Sequence, residues 1–243
     1  MKNDGGAVTN TESPLIFASY NVHAWIGTDG VTNMGRVLRV VRNIGADVVG
    51  LQEASLPLNE SLSVHRDIIK TETGMHVAFG PTMLRRHADF GNILLSRHPF
   101  EEVRRFDISV RSREPRGIVE GLLRIRGRSV RVCTTHFGLR AVERIAQARR
   151  LASRLFRPPA PSLLVAMGDL NEWIPKSPFI RPLLSRFPPM GRPRSFPSTF
   201  PLLALDRVLV HGADNERMTV TAHRNRETRL ASDHLPVVVR IDP

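Results

Sequence analysis

Eight polar residues stand where apolar runs stop or start. Asn21 follows PLIFASY, Glu53 follows DVVGLQ, His136 follows VRVCTT, and Asp169 and Asn171 follow SLLVAMG. Asp206 immediately precedes RVLV, and Asp233 with His234 immediately precedes LPVVVRI. In a sandwich whose strands run both ways, the ends of some strands and the starts of others share one edge, so the two groups can converge. Converged, they amount to three aspartates, one glutamate, two asparagines and two histidines, with no thiol. These are hard oxygen ligands and proton-handling groups. Such oxygens suit Mg²⁺ or Mn²⁺, which keep several waters and take one or two protein carboxylates. Phosphodiester hydrolysis asks for this equipment: a cation to neutralise the phosphate and the departing oxygen, a base to orient and deprotonate water, and donors for the added charge. Taken singly, a strand-end Asn or Asp is most often a turn former or cap. The set, not any one member, points to chemistry.

The elements that must position these groups can be read from the hydrophobic pattern. Strands are expected at 15–20, 47–52, 75–79, 92–96, 118–126, 129–135, 163–167, 205–210, 217–222 and 235–241. LLRIRGRSVRV reads as a hairpin around Gly127, its arginines alternating with apolar residues so that one face is wet. Val37, Val40, Val41 and Ile44 follow helical spacing, with Thr32 or Asn33 as cap and Gly45 as stop. A second helix at 141–156 puts Ile145, Ala148, Leu151 or Ala152, and Leu155 on one face, leaving Arg144, Arg149, Arg150 and Arg154 largely on a solvated one. Prolines crowd residues 158–201 around the LLVAM run, as in long surface connections. Strands and helices do not alternate regularly enough for a doubly wound sheet. The expected fold class is α/β (α+β): a four-layer sandwich of two mixed, mostly antiparallel β-sheets packed face to face with helices outside. Residues 1–13 read as a flexible segment and 14–243 as a single domain.

The chain has 243 residues, 41% hydrophobic and 24% charged, so it can bury a real core. Its formal net charge is +12, and all but Lys2, Lys70 and Lys176 of its 35 basic residues are arginine. The planar guanidinium suits bidentate phosphate contacts, which fits nucleic acid or an anionic lipid surface as partner. An arginine-biased genome explains the same composition. One cysteine, Cys133, excludes an intramolecular disulfide and a cysteine-based zinc cluster. Neither a hydrophobic leader nor an apolar run of membrane-spanning length is legible, so a soluble, cytoplasmic, monomeric protein with no obligate protein partner is expected. Triphosphate-binding GxxxxGK, zinc-protease HExxH and nucleophile-elbow GxSxG motifs are all missing from the sequence.

Eight segments in order resemble the endonuclease/exonuclease/phosphatase superfamily, the fold of pancreatic deoxyribonuclease. They are SYNVH (19–23), LQE (51–53), GNILLSRHP (91–99), SREPRG (112–117), TTHFG (134–138), GDLNEW (168–173), LDRVLV (205–210) and SDHLPVVV (232–239), and they span almost the whole chain. The resemblance implies that Glu53 is the main Mg²⁺ ligand, with Asn21 beside it and Asp233 close to the metal. It implies that Asp169 orients and deprotonates water, that Asn171 donates to a phosphate oxygen, and that His234, fixed by Asp206, binds the scissile phosphate and helps protonation. His136 would contact the phosphate or assist the leaving group, and its presence argues against the apurinic/apyrimidinic endonuclease branch. Arg116 would be a substrate-side cation. The only two tryptophans, Trp25 and Trp173, flank these motifs and would either stack a base or sugar or anchor their loops by packing.

The leading expectation is a Mg²⁺- or Mn²⁺-dependent phosphodiesterase acting on nucleic acid. A phospholipid-headgroup or phosphoinositide phosphoesterase would use the same site, although no basic amphipathic helix with a strong apolar face is legible. A non-catalytic binding module is the third reading, and the intact set of polar residues argues against it. Specificity is expected from segments 23–33, 82–89 and 176–200.

Overall fold

The first strand, β1 (Leu15–Asn21), is buried on both faces: Leu15 and Phe17 join one apolar core, Ala18 and Tyr20 another. That double burial is why the segment reads as an unbroken apolar run rather than an alternating one. In the computed structural model, which describes residues 13–243, β1 lies inside a six-stranded sheet with β2 (Val48–Pro57), β3 (His76–Arg85), β4 (Ala88–Ser96), β10 (Arg217–Ala222) and β11 (Val237–Asp242). The order is β10-β11-β1-β2-β4-β3. A second sheet, ordered as numbered, holds β5 (Phe100–Asp107), β6 (Gly117–Ile125), β7 (Arg128–His136), β8 (Leu163–Asp169) and β9 (Asp206–His211).

Each sheet contains one parallel pair. β1 runs beside β2 through the crossover helix α1 (Met34–Ile44), and β7 beside β8 through α3 (Ala141–Leu155); every other pairing is antiparallel. Between the sheets lies a core of Phe17, Val48, Leu94, Val132, Val165, Val208, Val239 and their neighbours. α1 and α2 (Leu62–Thr73) cover the outer face of the first sheet, while α3 and the short α4 (Arg181–Leu184) cover that of the second. The four layers are those expected. Gly50 sets how closely the sheets meet, since a Cβ there would stand 2.6 Å from Thr134 Oγ1 and 2.7 Å from Met167 Cγ.

Local signals account for most boundaries. Asn33 caps α1 by accepting from the Arg36 N–H, and Gly45 closes it in the left-handed region. Three elements lack strong signals. β5 is a half-exposed edge strand, FEEVRRFD, whose charges protect an open edge and erase the alternation. α2 buries only His65 and Ile69, a stripe too thin to show a helical period, and α5 (Arg226–Ala231) is under two turns long. Two expectations are corrected. Residues 82–89 form the tight end of the β3–β4 hairpin rather than a loop. Arg144 is buried rather than solvated, because it pairs with Glu172. The expected loose segment at 1–13 lies, apart from Ser13, outside the described residues. No helix of the described residues is long and apolar enough to cross a membrane.

Candidate active site

The two parallel pairs deliver their C-terminal ends to one edge. β1 ends in Asn21 and β7 in His136; β8 ends in Asp169, directly opposite both His136 and Asp206. On β2 the register shifts between Leu51 and Ala54, and Glu53 sits in that bulge with φ 57°. A bulge re-aims one side chain out of a regular ladder. Asn171, at φ 50°, and the turn His23-Ala24-Trp25, at φ 47°, 52° and 66°, also lie in the left-handed region. Backbone strain of this kind costs about 1 to 3 kcal/mol per residue and gathers where geometry is functional. Gly168, just before Asp169, is required by close approach: a Cβ there would fall 2.0 Å from the Thr135 carbonyl oxygen.

Asp169 is the hub. Its Oδ2 accepts from Asn21 Nδ2 at 3.1 Å and lies 3.6 Å from His136 Nε2 and 3.8 Å from His234 Nε2, while its Oδ1 accepts from the Asn171 backbone N–H at 2.9 Å. The same Asn21 amide donates to Glu53 Oε1 at 3.0 Å, and that oxygen is 3.9 Å from His136 Nδ1. Two carboxylates from different sheets therefore meet across one neutral amide. This pair of hard oxygens, with Glu53 the more exposed member, fits a small divalent cation. Asn21 Oδ1 accepts from the His23 N–H at 3.0 Å, so it is the amide nitrogen that faces the carboxylates. Asp233 turns to His23 Nδ1 at 3.2 Å. Asp169, Asp206 and His234 form a second cluster with metal-ligand spacing. In that cluster, however, the imidazole is already committed to a carboxylate.

The two histidines are held in opposite protonation states. His234 Nδ1 is 2.8 Å from Asp206 Oδ2, which also accepts from the Ser195 hydroxyl. Burial opposes the imidazolium most strongly, yet Asp206, Asp169 and Asp233 together outweigh it and raise the pKa from 6.5 to about 10. His136 is pushed down to about 3 by burial first, then by the Arg116 guanidinium, with Asp169 pulling weakly the other way. Geometry explains the difference. His136 Nδ1 lies 3.2 Å from Arg116 NH1, a cation that disfavours an imidazolium beside it, and Nε2 lies 3.0 Å from Asn171 Nδ2. Asn171 Nδ2 also donates to the Phe137 carbonyl at 2.8 Å.

Arg116 reaches the site, braced by Glu114 at 3.1 Å. The two tryptophans divide. Trp25 is 3% exposed, packs in the outer core of the first sheet and donates its indole N–H to the Ser55 carbonyl, so packing and not base stacking is its role. Trp173 is 48% exposed, with the Arg144 guanidinium 6.0 Å from its ring centre. Four further contributors are not among the expected site residues. Ser195 holds Asp206, the Phe196 ring covers His234 at 4.8 Å, and His23 pairs with Asp233. Gln52 ties the sheets together behind the site, donating to Thr134 Oγ1 at 2.8 Å. Only Gln52 and His23 fall within motif segments. Ser195 and Phe196 lie in the proline-rich stretch and become visible only once it folds back.

A model of the Endonuclease/Exonuclease/phosphatase family matches residues 26–234. The chain is 31% identical over 217 residues to the uncharacterized protein YbhP of Escherichia coli (strain K12), over 83% of this chain and 85% of that protein. Its fold is similar to the crystal structure of an endonuclease/exonuclease/phosphatase from Beutenbergia cavernae DSM 12333, with a TM-score of 0.73 and 22% identity over 95% of this chain and 72% of that one. It is also similar to Bacteroides thetaiotaomicron VPI-5482 mannosyl-6-phosphatase Bt3783, with a TM-score of 0.66 and 17% identity over 93% and 99% of the two chains. With the motif residues gathered at one edge of the two sheets and the family model spanning most of the sequence, the chain belongs to the endonuclease/exonuclease/phosphatase family.

Proposed function

We propose that this chain is a divalent-metal-dependent phosphodiesterase that hydrolyses nucleic acid by attack of water, working as a monomer. The observation that carries the reading is one buried carboxylate, Asp169, whose Oδ2 lies 3.6 Å from His136 Nε2 and 3.8 Å from His234 Nε2 and is joined to Glu53 across the Asn21 amide. Glu53, with Asp169 across the Asn21 amide and Asp233 nearby, would hold Mg²⁺ or Mn²⁺, which when bound would neutralise charge on the phosphate and on the departing oxygen. Asp169 orients water and takes its proton. His234, charged and locked by Asp206, holds a phosphate oxygen and has a proton to give at Nε2. Asn171 donates an N–H without adding charge, and Arg116 offers a cation on the His136 side. The net charge of +12 and the arginine-rich surface favour a long polyanion as substrate.

The test is hydrolysis of bis-p-nitrophenyl phosphate against p-nitrophenyl phosphate with Mg²⁺, Mn²⁺ or EDTA, followed by plasmid, single-stranded DNA and RNA. Metal-dependent diester cleavage that falls by about 10⁴-fold in Asp169→Ala, and is lost in Glu53→Ala, is the expected result. Preference for the monoester would move the chain to phosphatase chemistry of the kind named for Bt3783. Activity unchanged in both variants would return it to a binding role.

A further inference from the structure

On the outer side of the second sheet, the segment after β8 folds over β9 and forms a cavity of about 440 Å³. Its walls are apolar: Leu184, Phe187, Met190 and Leu209, with prolines 175, 188 and 189. Four cations also line it, Lys176, Arg181, Arg192 and Arg207, and no carboxylate does. Some arginines are neutralised by near neighbours, as Arg36 is by Asp29, Arg128 by Glu216 and Arg144 by Glu172, whereas buried Arg131 donates only to the carbonyls of Leu155, Arg157 and Pro159. Among the described residues none of the four cavity cations has a carboxylate within 4.0 Å.

Arg207 is the buried member. It is 3% exposed, and its guanidinium donates to the backbone carbonyls of Ala204, Asp206 and Glu172. Burial, followed by the proximity of Arg192, draws its pKa down from 12.5 to about 10, against the pull of Asp206, Asp169 and Glu172. Lys176 and Arg181 stand exposed at the rim, and Arg192 is half-buried, donating to the Trp173 carbonyl at 2.7 Å. An apolar cavity of small-molecule size whose lining holds basic side chains and no carboxylate fits a ligand with an apolar body and one acid group.

We propose that this cavity is a binding site for a small amphiphilic anion, such as a medium-chain carboxylate, separate from the phosphoesterase centre. The apolar body would lie against Leu184, Phe187, Met190 and Leu209, and the acid group would meet Arg192 in the wall and Lys176 and Arg181 at the rim. The inference does not depend on the substrate of the candidate active site.

Isothermal titration of the full chain with octanoate tests it, with 1-octanol and acetate as the uncharged and the headgroup-only controls. Octanoate should bind saturably, at least about tenfold tighter than either control, and raise the melting temperature in step with its concentration. Arg192→Gln should weaken octanoate several-fold while leaving 1-octanol unchanged. Leu184→Trp, which fills the cavity from a half-buried wall, should abolish binding of octanoate with hydrolysis of bis-p-nitrophenyl phosphate retained. Equal affinity for octanoate and 1-octanol would make this an uncharged apolar hole and overturn the proposal. Equal affinity for octanoate and acetate would reduce it to surface charge, and absence of saturable octanoate binding would overturn it outright.

Discussion

The surroundings of His234 and of His136 differ by one kind of neighbour. Both imidazoles are buried, both stand within 4 Å of the same Asp169 oxygen, and both lose by desolvation when charged. Around His234 the partners are acceptors: Asp206 at Nδ1, with Asp169 and Asp233 adding negative potential. Around His136 they are donors, Arg116 and Asn171. A few charged and hydrogen-bonding groups thus outweigh burial in one case and reinforce it in the other. The two sheets share this work, since β7 supplies His136 while the turn into β11 supplies His234. The outcome is a ring with a proton to give on one side of Asp169 and a neutral positioning ring on the other, with the carboxylate between them left to take the proton of water.

Deleting each ring is the strongest way to break this comparison. His234→Ala is expected to lower kcat/KM for bis-p-nitrophenyl phosphate by about 10³-fold, and His136→Ala by about 10²-fold. The ranking follows from charge: His234 brings a cation and a proton to the phosphate, whereas His136 brings a neutral ring that positions Asn171. Equal losses, or the reverse order, would mean that the two imidazoles are interchangeable contacts and that their different surroundings have no catalytic meaning.

Changing the neighbours sharpens the same contrast with smaller effects. Asp206→Asn keeps a hydrogen-bond partner for His234 but removes its counter-charge, so kcat/KM should fall about 10- to 100-fold. The alkaline limb of the pH profile should move to lower pH. Arg116→Gln removes the cation that depresses His136, so the acid limb should move to higher pH with less than about tenfold loss at neutral pH. Pre-steady-state rates from pH ~3 to ~11 would separate the two limbs. A shift of the same limb in both variants would contradict the assignment.

The strand ends were legible because a β-strand that stops in a polar residue leaves a sharp edge between apolar and polar text. Asn21, His136 and Asp169 could be read that way and Asp206 from the start of a strand, whereas Glu53 sits in a bulge of β2, which runs on to Pro57; the motif order in turn implied the two-sheet fold. What escaped reading was chemistry made by approach rather than by spacing. Ser195 and Phe196 come to Asp206 and His234 only because a proline-rich segment folds back over the sheet edge, and no local pattern encodes that return. Trp25 shows the opposite failure. It stands four residues from Asn21, yet the left-handed turn between them points its ring inward, so closeness in sequence misplaces it. Arg144 fell on the polar face of a helical wheel, but an acid from another element, Glu172, brought its charge inside.

The smallest effect tests the histidines without any substrate. In metal-free protein held in EDTA, His136 has a folded pKa of about 3 against 6.5 ordinarily, so between those values the unfolded chain binds more protons and stability rises with pH. This contribution is complete above 6.5 and is lost as pH falls toward 3. His234 runs the other way. Its folded pKa of about 10 means that the native state binds more protons above 6.5, so its contribution is complete below 6.5 and is lost as pH climbs through 10. Urea midpoints across this range should therefore peak at intermediate pH. His136→Gln should flatten the acid side of that curve and leave the alkaline side, and His234→Gln should do the reverse. If both variants keep the slopes of the parent, the opposed states of the two rings are not present in the folded protein, and the acid–base reading of the site loses its physical basis.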